Sequence, residues 1–178
     1  MRVAQLTPPA TFDAVECFAF ARWHAIEAFR PQALVGSALA LQMLAIRVQE
    51  KTLDLSSVDH AIFVTAQCGD PALAETARVV LWQTFGVPVY ELFMDAAGKL
   101  LASECEMHAG WHIEPHVKLA TAGGEVVLLT PGKSPEPLAP AARVETGLCP
   151  CGRPGVRILS AERRPAARSG RTTLAATA

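Results

Sequence analysis

The residues of this chain best suited to chemistry are two cysteines one residue apart, Cys149 and Cys151, in the turn Cys-Pro-Cys-Gly. Thiolates bind zinc well, and a turn closed by Gly152 can bring two sulfurs onto one ion. A structural zinc site needs four donors, so two more must come from elsewhere in the chain. The nearest sources are Cys105 and a histidine close to it. This spacing predicts a structural zinc site and leaves its histidine open.

Three histidines follow Cys105, at positions 108, 112 and 116. Their four-residue spacing would align them on a helix, but Gly110 and Pro115 interrupt any helix in this segment. A helical metal-binding face is therefore excluded. Taken one at a time, each histidine could equally be a surface or core residue. In the same way, Cys105 could be a small apolar side chain on a buried strand.

The composition is that of a globular protein with one real core. The chain has 178 residues, of which 51% are hydrophobic and 19% charged, with a net charge of −1. No global field would recruit nucleic acid or an anionic membrane. The longest apolar run is short for a membrane span, and the N-terminus is a poor signal peptide. The five cysteines are an odd number, so we expect a cytoplasmic protein without a disulfide framework, with Cys17 and Cys68 as buried thiols.

The hydrophobic pattern predicts an α/β fold. An apolar stripe predicts a helix over residues 12–28, and a second, mostly buried helix follows over residues 31–49. Ala61–Thr65 and Val87–Phe93 are typical of buried strands. A helix between these strands would complete a βαβ unit, which implies a parallel crossover. This helix would take Asp70 as its N-cap and Gly86 as its C-cap.

After Gly98 the pattern changes to short strands separated by glycine or proline turns, which predicts a small antiparallel meander. Its strands would be Leu100–Met107, Trp111–Ile113, His116–Ala120, Glu125–Thr130 and finally Arg143–Thr146. From Arg153 onward six arginines stand against one glutamate, so we expect a solvated basic tail. The predicted parts are an N-terminal helix in 1–30, the α/β domain with its meander in 31–160, and the flexible tail in 161–178.

The stretch from Phe29 to Leu159 resembles the phenylacetate–coenzyme A ligase branch of the adenylate-forming (acyl-AMP-forming) enzymes. Several landmarks follow one another in the order of that family. They are Pro31–Leu41, which looks like the helix-leading segment; Phe85–Phe93, like the approach to the "Y-G-x-[ST]-E" motif; Ala102–Glu106 with Gly110–Ile113, like "EC…G-x-H-x-x-E"; Gly124–Pro131, like "G-E-L-V-x-T"; and Cys149–Arg153, like "C-x-C-G-R".

This resemblance implies both a fold and a ligand set. The fold would be part of the family's large domain, a βαβ unit followed by a small antiparallel β meander with a zinc turn. In this branch the cysteine of "EC", the histidine of "G-x-H" and the two cysteines of "C-x-C" can surround one zinc. These positions correspond to Cys105, His112, Cys149 and Cys151, with His108 as the fallback ligand.

The same resemblance implies that the adenylation chemistry has been lost. The "Y-G-x-[ST]-E" motif corresponds to Phe93–Ala97, so Ala97 replaces the Mg²⁺-binding glutamate and Asp95 is the nearest carboxylate. The adenine motif corresponds to Thr65–Gln67, and the ribose motif to Ala142–Gly147, which lacks an aspartate. The phosphate loop would lie upstream of the first residue and the lysine-bearing domain beyond the last, so we expect neither.

We therefore predict a non-catalytic partner or accessory subunit, stabilised by structural Zn²⁺. A hydrophobic face would bind another protein or a second copy, with Phe18, Phe20, Trp23 and Trp82 on the helices. Alternatively, the predicted N-terminal helix would cover this face within the monomer. Two further alternatives are an acyl-CoA ligase part for aryl or phenylacetate-like acids, completed in trans, and a small-molecule-binding pseudoenzyme. In the last case the strand Val87–Phe93 and the residues Thr65–Gln67 would line the pocket.

Overall fold

A nine-stranded mixed sheet organises the protein in this computed structural model, which describes residues 1–6, 15–19, 22–67, 70, 72–122, 125–129, 136–137 and 143–159. Its strand order is β11-β12-β7-β6-β5-β4-β3-β1-β2, and a second sheet has the order β10-β9-β8. The elements are β1 (Val3–Gln5), β2 (Val15–Cys17), α1 (Trp23–Phe29), β3 (Ala33–Ser37), α2 (Ala38–Gln49), β4 (Ala61–Gln67), α3 (Glu75–Phe85), β5 (Val89–Met94), β6 (Leu100–Glu104), β7 (Trp111–Ile113), β8 (Lys118–Ala122), β9 (Glu125–Leu129), β10 (Glu136–Pro137), β11 (Arg143–Leu148) and β12 (Pro154–Leu159).

The parallel half of the large sheet comprises β2, β1, β3, β4 and β5. The predicted βαβ unit is confirmed, because β4 and β5 pair in parallel on either side of α3 in the chain. Helices α2 and α3 pack on this half, where Leu41 and Leu81 join Ile62 and Val89 in one core. Gly86 ends α3 with a φ of 69°, as predicted for its C-cap. No helix in the described ranges is long and apolar enough to cross a membrane.

The predicted N-terminal helix over residues 12–28 is wrong for most of its length. Val15–Cys17 forms β2 at the edge of the sheet, paired in parallel with β1, and the helix begins only at Trp23. Pairing supplies backbone hydrogen bonds that this segment would otherwise have made within a helix, and it favours the β-branched Val15. The N-terminal segment therefore extends the sheet. Residues 7–14 lie outside the described part of the chain.

The predicted second helix also begins later than expected, because its first residues form β3. Residues 33–36 are almost continuously apolar, and such a run fits a buried strand as well as a buried helix. Gly36 lies against Leu6, since an added Cβ there would be 3.1 Å from that side chain. Helix α2 starts immediately afterwards, where the Ser37 hydroxyl accepts a hydrogen bond from the amide of Ala40.

Asp70 does not cap α3, contrary to the prediction. Its carboxylate accepts a hydrogen bond from the amide of Gln67 at 2.8 Å, and the helix begins at Glu75 after Ala74, whose side chain makes no capping bond. Asp70 therefore closes the turn after β4.

The antiparallel meander is confirmed, but it divides between the two sheets. Strands β6 and β7 extend the large sheet beyond β5, whereas β8 and β9 pair within the small one. We call the antiparallel half of the large sheet, β6, β7, β12 and β11, the wing. Phe93, Trp111 and Ile158 of the large sheet pack with Leu128 of the small sheet in a second core. The wing thus has its own apolar core, separate from that under the helices.

The predicted tail is wrong from Arg153 to Leu159. Strand β12 pairs with β11 along its whole length and with β7 at Arg157 and Ile158. The alternation of Val156, Arg157 and Ile158 is that of a strand, and Ile158 is buried in the wing core. Gly110 permits this close pairing, because an added Cβ would be 2.5 Å from the carbonyl oxygen of Ile158. Residues 161–178 lie outside the described ranges.

Candidate metal centre

Three thiols and one imidazole meet at one end of the wing. The ligand atoms of Cys105, His112, Cys149 and Cys151 all lie within 4.8 Å of one another. The Cys105 and Cys149 sulfurs are 3.8 Å apart, and the Cys151 sulfur is 3.4 Å from His112 Nε2. Within the described part of the chain, no other group of three or more His, Cys, Asp or Glu side chains is placed to hold a metal ion.

The topology of the wing explains why these four residues converge. Cys105 directly follows β6, and His112 is the middle residue of β7, which lies between β6 and β12. Cys149 and Cys151 occupy the turn between β11 and β12. Two backbone hydrogen bonds close this turn, from Cys149 to the Arg153 carbonyl and from Gly152 to the Cys149 carbonyl, each at 2.9 Å. The site therefore joins two hairpins that are distant in sequence.

The two shortest distances between donor atoms in the cluster are close to those of a tetrahedral zinc site. Zinc–sulfur bonds of about 2.3 Å in a tetrahedron place two sulfurs roughly 3.8 Å apart. The same geometry with a zinc–nitrogen bond of about 2.0 Å gives roughly 3.5 Å from sulfur to nitrogen. A disulfide would need its sulfurs at about 2.05 Å, so Cys105 and Cys149 are not in bonding contact. Four donors arranged in this way could hold one metal ion.

The surroundings favour the protonation states that metal binding requires at His112 and Cys151, but not at Cys105. Burial, followed by the charges of Arg153 and Arg157, lowers the pKa of His112, which keeps its imidazole neutral. Burial acts to raise the pKa of the Cys151 thiol, but hydrogen bonds, first from the Arg153 backbone, lower it to about 7. Burial raises the pKa of Cys105, whose thiol a metal ion would have to deprotonate.

The two other histidines do not join the cluster. His108 has its Nδ1 3.1 Å from Glu104 Oε1, and its ring stacks on Tyr90 with centroids 5.6 Å apart. His116 Nε2 is buried without a hydrogen-bond partner among the described residues. The structure therefore places His112, and not the fallback His108, beside the three thiols. Of the remaining cysteines, Cys17 is exposed, contrary to the prediction, and Cys68 lies outside the described ranges.

A buried charge cluster beside the site was missed by the sequence reasoning. The Arg78 guanidinium lies 3.3 Å from Glu91 Oε2 and 3.0 Å from Glu104 Oε2, and it also donates to the Val89 carbonyl. Both glutamate side chains are almost completely buried. The available signal was Arg78 itself, which lies between the buried residues Ala77 and Leu81 in an amphipathic helix. The cluster ties α3 to β5 and β6, directly before Cys105.

The positions that correspond to the nucleotide site of the resembled family lie together at the ends of β4 and β5. Ala66 is paired with Phe93, and Gln67 with Met94. Asp95 follows as a buried turn residue, and its Oδ1 accepts hydrogen bonds from the amides of Ala97 and Lys99 at 2.9 and 2.8 Å. This carboxylate shapes the turn into β6.

The residues predicted to form a hydrophobic face have different environments. Trp82 is 57% exposed on α3, whereas Phe18 is buried and outside any helix, and Phe20 lies outside the described ranges. Trp23 on α1 is partly buried and lies 5.3 Å below the Arg47 guanidinium. Other large apolar side chains are exposed beside Trp82 on α3 and on the neighbouring α2, namely Leu39, Ile46, Val79 and Val80. We call these five residues the helical apolar face.

No protein-family profile and no curated protein sequence matches the chain. Solved structures match it in fold. An open conformation of 2-hydroxyisobutyryl-CoA ligase, in complex with 2-HIB-AMP and CoA, has a TM-score of 0.64 at 14% identity, over 89% of this chain and 44% of the ligase. The anthranilate CoA ligase in complex with anthranoyl-AMP has a TM-score of 0.55 at 14% identity, over 88% of this chain and 39% of the ligase.

The coronafacic acid ligase from Pectobacterium brasiliense has a TM-score of 0.53 at 12% identity, over 82% of this chain and 33% of the ligase. At these identities the likeness establishes the fold alone. The predicted fold class is confirmed as part of an adenylate-forming-enzyme fold. The chain spans less than half the length of these ligases. The resemblance to the phenylacetate branch stays a prediction.

Proposed function

We propose that this chain is a non-catalytic protein with a partial CoA-ligase fold, stabilised by one structural zinc ion, which acts as a partner or accessory subunit. The observation that carries the proposal is the cluster of Cys105, His112, Cys149 and Cys151 in the wing of this fold. A Cys₃His set provides all four bonds of a tetrahedral zinc, so no position is left for an activated water. Such a closed site contributes to folding and not to catalysis.

Zinc fits this donor set better than the other common protein metals. Three thiolates are soft donors, which disfavour magnesium, calcium and manganese, and the tetrahedral distances suit zinc. The proposed ligand set includes no carboxylate. A cytoplasmic location, which we also propose, would keep the thiols reduced and available.

Metal analysis of the purified chain tests the zinc site. We expect about one zinc per chain, and loss of that zinc in the double variant Cys149→Ser/Cys151→Ser. The matched control is Cys17→Ser, which removes an exposed thiol outside the cluster and should leave the zinc content unchanged. A wild-type protein that is stable and folded without any metal would overturn this part of the proposal.

Asp95 has a structural role in a turn, and this role supports the proposed absence of ligase chemistry. Asp95 is the carboxylate nearest to the position that would hold Mg²⁺ in the resembled family. It is 1% exposed and already accepts two backbone hydrogen bonds. Ala97, at the position of the family's glutamate, offers no ligand atom in its side chain. Removing charge stabilisation of this kind from an active site typically lowers rates by orders of magnitude.

The accessory role is supported by the helical apolar face. Leu39 and Trp82 are 68% and 57% exposed, and Ile46 is 50% exposed, on two helices that pack side by side. Large apolar side chains exposed on two packed helices would together form the kind of surface that another protein covers. We propose that either a second copy or a different subunit binds here, and that nucleic acid and membranes are not partners, given the net charge of −1.

Light scattering coupled to size-exclusion chromatography tests this face. We expect the wild type, alone or with a candidate subunit, to form a complex that Trp82→Glu weakens at least tenfold, because a buried interface excludes an unpaired charge. Val144→Glu makes the same change on β11, away from the helices, and should leave the complex intact. A monomer that captures no partner, or equal weakening by both variants, would contradict the proposed surface.

The main alternative is a ligase part completed in trans by another polypeptide, acting on aryl or phenylacetate-like acids. The fold neighbours include ligases solved with an acyl-AMP and CoA, which supports this candidate. ATP–pyrophosphate exchange with a panel of aryl acids, with and without candidate partners, distinguishes the two. Exchange in the presence of a partner would favour the alternative. Tight binding of an acid or nucleotide without exchange would favour a small-molecule-binding pseudoenzyme.

A further inference from the structure

The buried thiol of the Cys-Pro-Cys turn, Cys149, contacts an arginine. Arg157 lies in the middle of β12, and its Nη1 is 3.4 Å from the Cys149 sulfur, within reach of an N–H···S hydrogen bond. Both side chains are largely buried, since Arg157 is 8% and Cys149 2% exposed. The second arginine near the turn, Arg153, follows Gly152, and its side chain is 50% exposed.

The Arg157 guanidinium is held in place by two other segments of the wing. Its Nη1 also contacts the Ala109 carbonyl at 3.2 Å, in the turn before β7, and its Nη2 donates to Glu145 Oε2 at 3.0 Å on β11. In the sheet, Arg157 is paired with the ligand residue His112. A planar guanidinium fixed by acceptors at both ends has one orientation available, and that orientation presents an N–H to the sulfur.

The charge of a filled site explains why an arginine is placed there. A divalent ion with three thiolates and one neutral imidazole carries one excess negative charge. Cys105 and Cys149 are 1% and 2% exposed, so this charge lies largely out of reach of water. A buried charge is unfavourable unless another charge and hydrogen bonds compensate it. Among the two arginines beside the thiols, Arg157 is the one buried with them, whereas the Arg153 side chain is 50% exposed.

We propose that Arg157 is a positioning residue of the metal site, which donates to the Cys149 thiolate and offsets the excess negative charge, so that the ion is held more tightly and leaves more slowly. This inference rests on the proposed zinc site and adds a determinant of its affinity. Hydrogen-bonding partners of metal ligands typically change affinity by about 10- to 100-fold when they are removed. Arg157 should fall in that range.

The test measures transfer of zinc from the full-length protein to a chromophoric chelator. Arg157→Gln should release zinc about 10- to 100-fold faster than wild type. Glu145→Gln is the matched control, because its amide oxygen can still accept the hydrogen bond from Arg157 Nη2, so the variant removes the ion pair but leaves the guanidinium in place beside the sulfur. It should release zinc at nearly the wild-type rate. Arg143→Gln removes an exposed positive charge from the same hairpin and should have no effect.

Cobalt substitution supplies a readout that a merely structural role would not change. Loss of a hydrogen bond to a thiolate makes its electrons easier to transfer to the metal. The sulfur-to-cobalt charge-transfer band of Arg157→Gln should therefore shift to longer wavelength, while that of Glu145→Gln stays in place. If Arg157→Gln does not fold, Arg157→Lys is the variant to test. The lysine ammonium keeps the positive charge but cannot reproduce the fixed, planar arrangement of guanidinium N–H donors. Arg157→Lys should release zinc faster than wild type, and its charge-transfer band should shift less than that of Arg157→Gln.

The outcomes separate the two proposals. A wild-type protein that binds neither zinc nor cobalt would overturn the zinc site itself. A wild-type protein that binds zinc, together with a folded Arg157 variant whose release rate and cobalt spectrum are unchanged, would overturn the role of Arg157 alone. Equal acceleration by Arg157→Gln and Glu145→Gln would also overturn it, since the ion pair and not the contact with sulfur would then matter.

Discussion

Removing the proposed zinc with a chelator is expected to lower the free energy of unfolding by about 4 kcal/mol or more, when the free zinc concentration before chelation is at least about 1,000 times its Kd. The physical reason is that the metal binds the folded state, in which Cys105 and Cys149 are 3.8 Å apart although 44 residues separate them in sequence. In the unfolded chain this convergence is lost, so the binding free energy is part of the folding free energy.

Urea unfolding of the zinc-loaded and chelated protein, followed by tryptophan fluorescence, provides the measurement. The double variant Cys149→Ser/Cys151→Ser should unfold like the chelated wild type and should not respond to added chelator. Cys17→Ser should respond as the wild type does, since Cys17 lies outside the site. Identical unfolding curves with and without metal would contradict a stabilising role.

The second large effect is expected at the buried charge cluster. Arg78→Met should lower the free energy of unfolding by about 3–5 kcal/mol, which is typical when one member of a buried ion pair is removed. The variant would leave Glu91 and Glu104, whose side chains are 1% and 0% exposed, without the guanidinium that lies between them. Methionine was chosen because its length and flexibility preserve most of the packing.

Glu75→Gln is the matched control for this prediction. Glu75 lies 4.0 Å from Arg78 but is 80% exposed, and exposed pairs contribute little. A double-mutant cycle then isolates the buried contact. Glu104→Gln should be more destabilising in the wild type than in the Arg78→Met variant. In that variant Glu104 has no arginine partner left to lose. Additive effects would show that Arg78 and Glu104 do not stabilise the protein through each other.

The sequence predicted the βαβ unit and the convergence of Cys105 with Cys149 and Cys151, and both predictions came from patterns that are visible along the chain. Long apolar helices and strands, and a Cys-Pro-Cys turn with a resembling upstream motif, can be recognised along the chain. The histidine was different. Residue spacing left three candidates open and only the family resemblance selected His112, which β7 places beside the thiols.

The errors in the predicted fold come from segments whose partners are distant in sequence. Residues 33–36 are apolar enough for either a buried helix or a buried strand. They form a strand because they pair with β1 on one side and β4 on the other. Val15–Cys17 becomes a strand because it pairs with β1. Arg157 was interpreted as a tail residue, since its acceptors are on β11 and in the turn before β7. Single-sequence patterns do not contain these pairings.

The division of the apolar interior into two cores has a consequence for how the molecule opens. Strand β5 belongs to both, with Val89 in the core under the helices and Phe93 in the core of the wing. The four residues of the proposed metal site all lie in the wing or in the turns that join its strands. Local opening is governed by the contacts of each region. Release of the ion should therefore accelerate amide hydrogen exchange in β11 and β12, while the amides of β3 and β4 keep their protection, with β5 as the boundary between two cooperative units.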